Sequence, residues 1–144
     1  MWVGAGLWHD TDFYTAFEDS HGAVFVWSMY LAFGPDGYIR YGLEDPVAAL
    51  ASRTASFNEV LHHPPWAPEW LVAQAREHRI DAALVLRPTS MKPSATGRLF
   101  IERALEEAGI PVLAVEADVV DSRAWNPAAA RLTVTSFLEE RVLQ

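Results

Sequence analysis

Four groups of small or polar residues follow apolar segments typical of strands, and some of their side chains could do acid–base chemistry. The groups are Gly4, Gly6, Trp8 and His9; Ser28 and Met29; Arg87, Pro88, Thr89 and Ser90; and Glu116 and Asp118. His9 could act as a general acid or bind an acyl carbonyl. Glu116 and Asp118 would project to one side of an extended chain, where they could act as acid and base or bind a cation. The alternatives are a surface histidine and solvated loop carboxylates.

Arg87 and the hydroxyl-rich segment after it could bind an anion. The guanidinium of Arg87 could pair with a phosphate or a carboxylate. Further donors are offered by Ser90, Lys92, Ser94 and Thr96. The alternative is a polar turn in which Ser94 only caps the helix that follows.

The turn Gly4-Ala5-Gly6 could let backbone N–H groups approach an anion. It lacks the third glycine of a dinucleotide fingerprint and no Walker lysine follows, so the alternative is that the glycines merely permit a tight turn. The adjacent His62 and His63 point in different directions and do not form the i, i+4 pair of a helical metal site. We assign them to a helix terminus and predict no metal ligands.

Strands and helices alternate along the chain and would position these groups. Apolar runs predict strands at residues 2–6, 23–27, 82–86 and 112–115, and the run at 23–27 is typical of a strand covered on both faces. Five helices are predicted: from Asp10 or Thr11, from Asp45-Pro46 to Leu61, from about Pro68 to His78, from Ser94 or Thr96 to Ala108, and from Asn126-Pro127 onward. The first has Phe13, Tyr14 and Phe17 on one face, and the second has Val47, Leu50, Ala51 and Phe57 in its buried stripe. Gly109 and Ile110 are expected to end the fourth.

This alternation predicts a parallel sheet joined by right-handed crossovers. We expect a three-layer, flavodoxin-like α/β domain with a mainly four-stranded parallel sheet. Residues 1–144 show no linker, repeat or low-complexity tract, so a single domain is expected. Because the carboxyl ends of parallel strands share one edge, any ligand site is expected at that edge.

The segment 28–44 interrupts the regular pattern, because it holds four aromatic residues among glycines and a proline. It could be a lid or a docking surface at a strand exit, and the alternative is a loop packed on the domain by its own aromatics. Trp66, Trp70 and Trp125 begin helices and are expected at core edges or an interface.

Composition excludes several classes of protein. Lys and Arg number 11 against 19 Asp and Glu, which gives a net charge of −8 without a basic stripe for nucleic acid. No apolar run is long enough to span a membrane and no signal peptide pattern begins the chain, so we expect the cytoplasm and no membrane partner. The absence of cysteine excludes disulfides, thiolate nucleophiles, zinc–thiolate sites and self-held iron–sulfur clusters.

Five segments, in this order, carry a further pattern. They are VGAGLWHDTDFYTAFEDSHGAVFVWSMYL, EDPVAALASR, HRIDAALVLRPTS, LEEAGIPVLAVEADVVD and, in the closing helix, SFLEERV. Together they resemble the C-terminal domain of 2-hydroxyacyl-CoA dehydratase and benzoyl-CoA reductase subunits. In that family the domain comes last in a subunit of several hundred residues, so the resemblance implies that this chain is about the final third of one subunit or a stand-alone relative.

The resemblance implies chemistry on acyl-CoA thioesters. The reaction would be removal of water from a 2-hydroxyacyl-CoA or two-electron reduction of an aromatic acyl-CoA. A [4Fe-4S] cluster in the full complex, a homologous second subunit and an ATP-dependent activator protein that supplies electrons are implied as well.

One departure from the family limits what can be carried over. Family cysteines are expected in the loops after strands two and three, where this sequence has Ser28-Met29 and Thr89-Ser90. Serine and methionine are poor replacements for thiolates on an iron–sulfur cluster. We therefore expect this chain to bind no cluster through its own cysteines.

Our expectation is a domain that contributes to an acyl-CoA pocket and a subunit interface and has no turnover by itself. The predicted catalytic residues are His9 and Glu116, and the predicted substrate-binding residues are Gly6, Trp8, Ser28, Arg87, Thr89 and Ser90. The alternative is a non-catalytic assembly module that retains the fold.

Overall fold

A computed structural model of the chain describes residues 1–29, 45–56, 66–90 and 97–144. Several sequence predictions lie outside the described residues. They concern most of the segment 28–44, the helix positions Phe57 and Leu61, the pair His62 and His63, and the anion-binding candidates Lys92, Ser94 and Thr96.

Among the described residues the sheet contains three parallel strands, in the order β1 (Trp2–Val3), β2 (Ala83–Pro88) and β3 (Val112–Ala117). β2 pairs with β3 along its whole length, from Ala83 opposite Val112 to Pro88 opposite Ala117. Pairing with β1 is limited to Trp2 opposite Leu84 and Val3 opposite Val85. The chain is therefore an α/β protein with a parallel sheet, as predicted, with three strands in its described part.

The predicted strand at residues 23–27 does not form a ladder. Its end lies beside β1, where Trp2 forms one parallel bridge with Ser28 and donates a 3.0 Å backbone hydrogen bond to Trp27. Val24 and Val26 are 57% and 63% exposed, so the expected burial on both faces is wrong. The physical reason is that β1 has only two residues and offers little backbone to pair with.

The described residues contain five α-helices and two 3₁₀ turns. The helices are α1 (Glu18–His21), α2 (Pro46–Ser56), α3 (Trp66–Glu77), α4 (Arg98–Glu107) and α5 (Pro127–Arg141), and the 3₁₀ turns are Thr11–Tyr14 and Ser122–Ala124. Two predicted N-caps are confirmed, because Asn126 accepts from Ala129 N at 3.1 Å and Asp45 accepts from Val47 N at 2.8 Å.

Helix α4 ends as predicted, with Gly109 at φ 82° and the Ile110 amide donating to Leu105 O at 2.9 Å. Helix α2 differs from its prediction. Val47 and Leu50 are 73% and 62% exposed, so the first turns of the expected buried stripe are not buried.

The predicted helix after β1 is replaced by a 3₁₀ turn and the short α1. Asp10 does not cap it with its side chain. Phe13 and Phe17 are fully buried, and the ring of Phe13 lies 5.9 Å from Trp2 and 5.5 Å from Phe17. Packing of these aromatic rings against each other decides the path of the chain here, and it overrides helical spacing.

Helices cover both faces of the sheet, and each face has its own core. Val3, Ala83 and Val85 pack with Leu71 and Ala75 of α3 and with Ile101 and Leu105 of α4. Trp2, Leu84, Leu86, Val115 and Ala117 pack with the aromatic cluster and with Val134, Phe137 and Leu138 of α5. Successive strand residues alternate between the two cores, as the period of a strand requires.

Candidate functional site

The three strands are parallel, so their carboxyl ends lie at one edge of the sheet, as predicted for the site. The residues that follow them are Gly4 to Asp10 after β1, Thr89 and Ser90 after β2, and Asp118 to Asp121 after β3. The Thr89 amide donates to Ala117 O at 3.1 Å and so holds the exits of β2 and β3 together.

The exit of β1 depends on a glycine. Gly4 has φ 120°, and a Cβ at this position would lie 2.9 Å from Leu86 Cβ. Trp2 Nε1 donates to Ala5 O at 2.8 Å, and the Leu7 amide donates to the Tyr14 hydroxyl at 2.8 Å. These contacts support the tight-turn interpretation of Gly4-Ala5-Gly6.

His9 faces the exit of β3. Its Nε2 lies 2.9 Å from Asp118 O, and because a carbonyl oxygen only accepts, Nε2 carries the proton. Nδ1 is buried and has no hydrogen-bond partner among the described residues. In its neutral form His9 therefore holds a proton on Nε2 and an unused acceptor on Nδ1.

Asp118 is a buried carboxylate that is held in its ionised form. Oδ1 accepts from Val120 N at 2.8 Å and from Asp121 N at 2.9 Å. A side-chain hydrogen bond with Ser90 and these two backbone donors lower the pKa of Asp118 to about 2. At neutral pH Asp118 is thus a fixed negative charge and an acceptor, not a proton donor.

All three strand exits meet at Asp118: His9 follows β1 and contacts its carbonyl oxygen, and Ser90 follows β2 and contacts its carboxylate. The sequence predicted His9 and Ser90 as site residues but selected Glu116 as the catalytic carboxylate. In the sequence both Glu116 and Asp118 follow the apolar run that predicts the last strand, so position alone did not distinguish them.

A second contact group holds the histidine loop against α5, and the sequence did not predict it. Trp125 Nε1 donates to Asp10 Oδ2 at 2.8 Å, and Arg131 Nη2 donates to Asp10 Oδ1 at 3.1 Å. The His9 ring lies 6.1 Å from the Trp125 ring. Asp10 therefore connects the exit of β1 to α5.

Arg87 lies on the other face of the sheet and is already paired. Its Nε and Nη2 donate to the two carboxylate oxygens of Glu102 at 3.1 and 2.6 Å, and this bond raises the pKa of Arg87. Arg98 donates from Nη1 to Leu86 O at 2.8 Å, and burial lowers its pKa. Arg87 is thus paired with a carboxylate of the same chain, and its role in substrate binding stays a prediction.

Glu116 is exposed and lies opposite Arg87 in the strand register. Its neighbours Val115 and Ala117 belong to the core on the α5 side, so Glu116 points toward the α4 side. Asp118 instead turns toward His9. The two predicted catalytic residues, His9 and Glu116, are therefore not brought together.

The remaining predicted residues lie around the edge. The indole of Trp8 is 66% exposed and covers Gly6, where an added Cβ would lie 2.8 Å from the ring. Thr89 and Ser90 are exposed, and Ser28 is half-buried at its bridge with Trp2. Trp8, Thr89 and Ser90 are the predicted residues that this edge presents to solvent.

Comparison with known families identifies the chain. The family model of the 2-hydroxyglutaryl-CoA dehydratase D-component matches residues 1–140. The chain belongs to this family. The match spans all three strand exits, and it confirms the resemblance to 2-hydroxyacyl-CoA dehydratase subunits found in the sequence. A search of curated proteins gives no match.

The residues of this D-component family member do not fit an iron–sulfur cluster. The sequence contains no cysteine. Ser90 at the exit of β2 is hydrogen-bonded to Asp118, and Ser28 is part of a bridge to β1. Within residues 1–29, 45–56, 66–90 and 97–144, no group of three or more His, Cys, Asp or Glu side chains could hold a metal ion.

A cavity of about 350 Å³ lies at the opposite, amino edge of the sheet. Its walls include Phe17, residues 22–26, residues 78–82 and Phe137, and it contains none of the strand-exit residues. In the described part of the chain no helix is long and apolar enough to cross a membrane.

Proposed function

We propose that this chain is a substrate-contacting and assembly domain of a cytoplasmic 2-hydroxyacyl-CoA dehydratase or related benzoyl-CoA reductase. In this proposal it works on an acyl-CoA together with a homologous second subunit. An iron–sulfur cluster would be held elsewhere in the complex, and an ATP-dependent activator protein would supply electrons. The observation that carries the proposal is the meeting of the three strand exits at Asp118, in a chain of the dehydratase family.

The exposed groups beside Asp118 would contact the substrate. The Trp8 indole offers an apolar surface to an acyl chain or a stacking surface to adenine, and the hydroxyls of Thr89 and Ser90 offer donors to carbonyl or phosphate oxygens. Gly6 allows the Trp8 ring to approach the backbone, and Ser28 lies beside β1.

His9 and Glu116 would play different parts, because they lie apart. His9 can take up a proton at Nδ1 while Nε2 stays bound to Asp118 O, so it would hold a proton near the thioester. Glu116 is exposed near Arg87 and Arg98 and would face the partner subunit or the solvent side of the pocket. Arg87 would bind a substrate phosphate only by leaving Glu102.

We also propose that residues 23–28 act as the outer strand of a four-stranded, flavodoxin-like sheet in the assembled enzyme. The bridge between Trp2 and Ser28 and the bond from Trp2 N to Trp27 O already give this segment the parallel direction of the sheet.

Calorimetric titration with a 2-hydroxyacyl-CoA and with benzoyl-CoA tests the pocket. We expect Trp8→Ala and Ser90→Ala to weaken binding about tenfold each, which corresponds to ~1.4 kcal/mol. Leu132→Ala and Ser20→Ala are the matched controls, since both residues lie on exposed surface away from the strand exits. Tight binding that neither site substitution changes would contradict the proposed site.

A non-catalytic assembly module is the second candidate function. The observation that favours it is a set of large apolar side chains exposed on described elements, namely Val47, Leu50, Leu99, Phe100 and Val120. Co-expression with a cysteine-bearing family subunit distinguishes the two. A stable complex that binds no acyl-CoA supports the module, and a complex whose binding depends on Trp8 and Ser90 supports substrate contact.

A further inference from the structure

Two consecutive residues of the loop after β1 are attached to the same distant part of the chain. His9 donates from Nε2 to Asp118 O at 2.9 Å, and the carboxylate of Asp10 accepts from Trp125 and Arg131. These partners lie 109 to 121 positions further along the sequence. Because His9 and Asp10 are neighbours, the bonds of one side chain restrict the backbone that carries the other.

The carboxylate of Asp10 bonds to these distant residues and not to its own turn. It forms no side-chain cap on the 3₁₀ turn Thr11–Tyr14. Oδ2 accepts from Trp125 Nε1 at 2.8 Å, and Oδ1 accepts from Arg131 Nη2 at 3.1 Å. The side chain of Asp10 is only 12% exposed, so these two donors replace much of the water that the carboxylate loses on folding. The charge of Arg131 also balances that of Asp10.

Trp125 connects this carboxylate to the imidazole of His9. The Trp125 ring lies 6.1 Å from the His9 ring and 5.7 Å from the ring of Phe13, which is fully buried. Phe13 limits the movement of the indole on one side, and Asp10 fixes its Nε1. The indole therefore forms a fixed wall beside His9.

We propose that Asp10 is a positioning residue for His9. By holding Trp125 and Arg131, it keeps the imidazole in the orientation in which Nε2 carries the proton and Nδ1 is the basic nitrogen. This inference deepens the proposed function and rests on it, since it concerns the residue that would hold a proton near the thioester.

The orientation of His9 needs this support, because its own hydrogen bonds do not determine it. A neutral imidazole has two tautomers, and the partner of the second nitrogen commonly selects one of them. Here Nδ1 is buried and has no hydrogen-bond partner among the described residues. The single bond from Nε2 to Asp118 O contributes only modestly, so the packing beside the ring decides how well that bond keeps its geometry.

The test is the tautomer of His9, measured from the ¹⁵N and ¹H shifts of its ring in the full chain at a pH where the imidazole is neutral. Asp10→Asn removes the charge and weakens the acceptor. Trp125→Phe keeps a ring beside His9 but removes the indole donor, so it separates the hydrogen bond from the packing. Asp12→Asn is the matched control, because Asp12 is an exposed carboxylate in the same stretch of chain.

We expect the Nε2–H tautomer to dominate in the parent chain. Its ratio to the Nδ1–H tautomer should fall about fivefold in Asp10→Asn and in Trp125→Phe, the size expected for one hydrogen bond, and stay unchanged in Asp12→Asn. Amide shifts of Leu84 and Val85 in β2 show whether each variant is folded, and Trp125→Phe carries the test if Asp10→Asn is not.

Two results would overturn the proposal. One is a parent chain in which the Nδ1–H tautomer dominates, and the other is an unchanged ratio in the folded variants, which would leave Asp10 a purely structural anchor. No acyl-CoA is present in this measurement. A failed acyl-CoA titration would therefore contradict the proposed function without altering the result for Asp10 and His9.

Discussion

The two edges of the sheet differ in what they bring together. At the carboxyl edge, side chains from three distant parts of the sequence meet at Asp118, yet the 350 Å³ cavity lies elsewhere. At the amino edge the cavity is lined by apolar side chains such as Phe17, Val134 and Phe137. The polar side chains that could do chemistry therefore lie at one edge of the sheet, and the cavity lies at the other. In this domain a cavity alone does not indicate where the polar site is.

The largest expected effect concerns the apolar character of the amino edge. Phe137 is buried between α5 and the sheet and lines the cavity. We expect Phe137→Ala to lower the free energy of unfolding by about 3 kcal/mol, measured by urea denaturation, because a large ring is removed beside an existing space. Leu132→Ala, at an exposed position of the same helix, should change it by less than about 0.5 kcal/mol. An equal loss of unfolding free energy in both variants would mean that Phe137 is not packed against the sheet at the amino edge.

The next prediction concerns the backbone of the carboxyl edge. Gly4→Ala places a Cβ 2.9 Å from Leu86 Cβ at φ 120°, so we expect a loss of about 2 kcal/mol from strain and contact together. Gly22→Ala is the matched control, because Gly22 has φ 63° and no atom within 4 Å of the added Cβ. It should lose about 1 kcal/mol, from conformation alone. A loss no greater for Gly4→Ala than for Gly22→Ala would contradict the close approach of the two strands.

The electrostatic prediction concerns Asp118 and pH. Its pKa is lowered from 3.8 to about 2 on folding, so the unfolded chain binds the proton more tightly. The stability that the carboxylate contributes is therefore present above about pH 4 and is lost as the pH falls toward 2. We expect the stability difference between the parent chain and Asp118→Asn to shrink between pH 5 and pH 3 in urea denaturation.

Ser90→Ala sharpens this test, since the hydrogen bond with Ser90 is the largest cause of the lowered pKa. In this variant the folded pKa of Asp118 lies closer to the unfolded value, so the loss of stability on acidification should be smaller and should end at a higher pH. A profile identical to that of the parent chain would show that Ser90 and Asp118 do not interact in solution.

The smallest expected effect is a stabilisation at the rim of the amino edge. Arg79 follows α3 at φ 52°, in the left-handed position that Gly109 takes after α4. We expect Arg79→Gly to raise the free energy of unfolding by about 0.5 kcal/mol, because glycine adopts this conformation without the contact of a Cβ. Gly109→Ala should have the opposite sign and cost about 1 kcal/mol. A loss of stability in Arg79→Gly would mean that the arginine side chain makes a contact that outweighs its strain.

The sequence predicted correctly the helix ends that are determined by residues within a few positions of them. The cap at Asn126 and the ending of α4 at Gly109 and Ile110 depend on residues within one turn, and both are confirmed. The strands β2 and β3 were predicted from their continuous apolar runs, which are buried in β2 and mostly half-buried in β3.

The site was predicted less well, because its contacts join residues far apart in sequence. Asp10 or Thr11 was predicted to cap a helix, but the partners of Asp10, Trp125 and Arg131, are more than 100 positions away. Arg87 was predicted to bind substrate, and its ion pair with Glu102 was not predicted, because only the position of α4 brings the two side chains together. His9 and Ser90 were identified by their places at strand exits. Their common neighbour Asp118 could not be preferred to Glu116 from the sequence, because the turn after β3 that directs Asp118 toward His9 is a property of the folded chain.

The contact between His9 and Asp118 spans 109 residues of sequence, which has a consequence for folding kinetics. Closing a loop of this length costs more chain entropy than closing the shorter loop between the adjacent strands β2 and β3. We expect α3 to α5 and the β2–β3 pair to form before β1 docks. The carboxyl-edge site would then be completed in the last step of folding. Ligand binding at this edge during refolding would therefore indicate that β1 has docked onto the sheet.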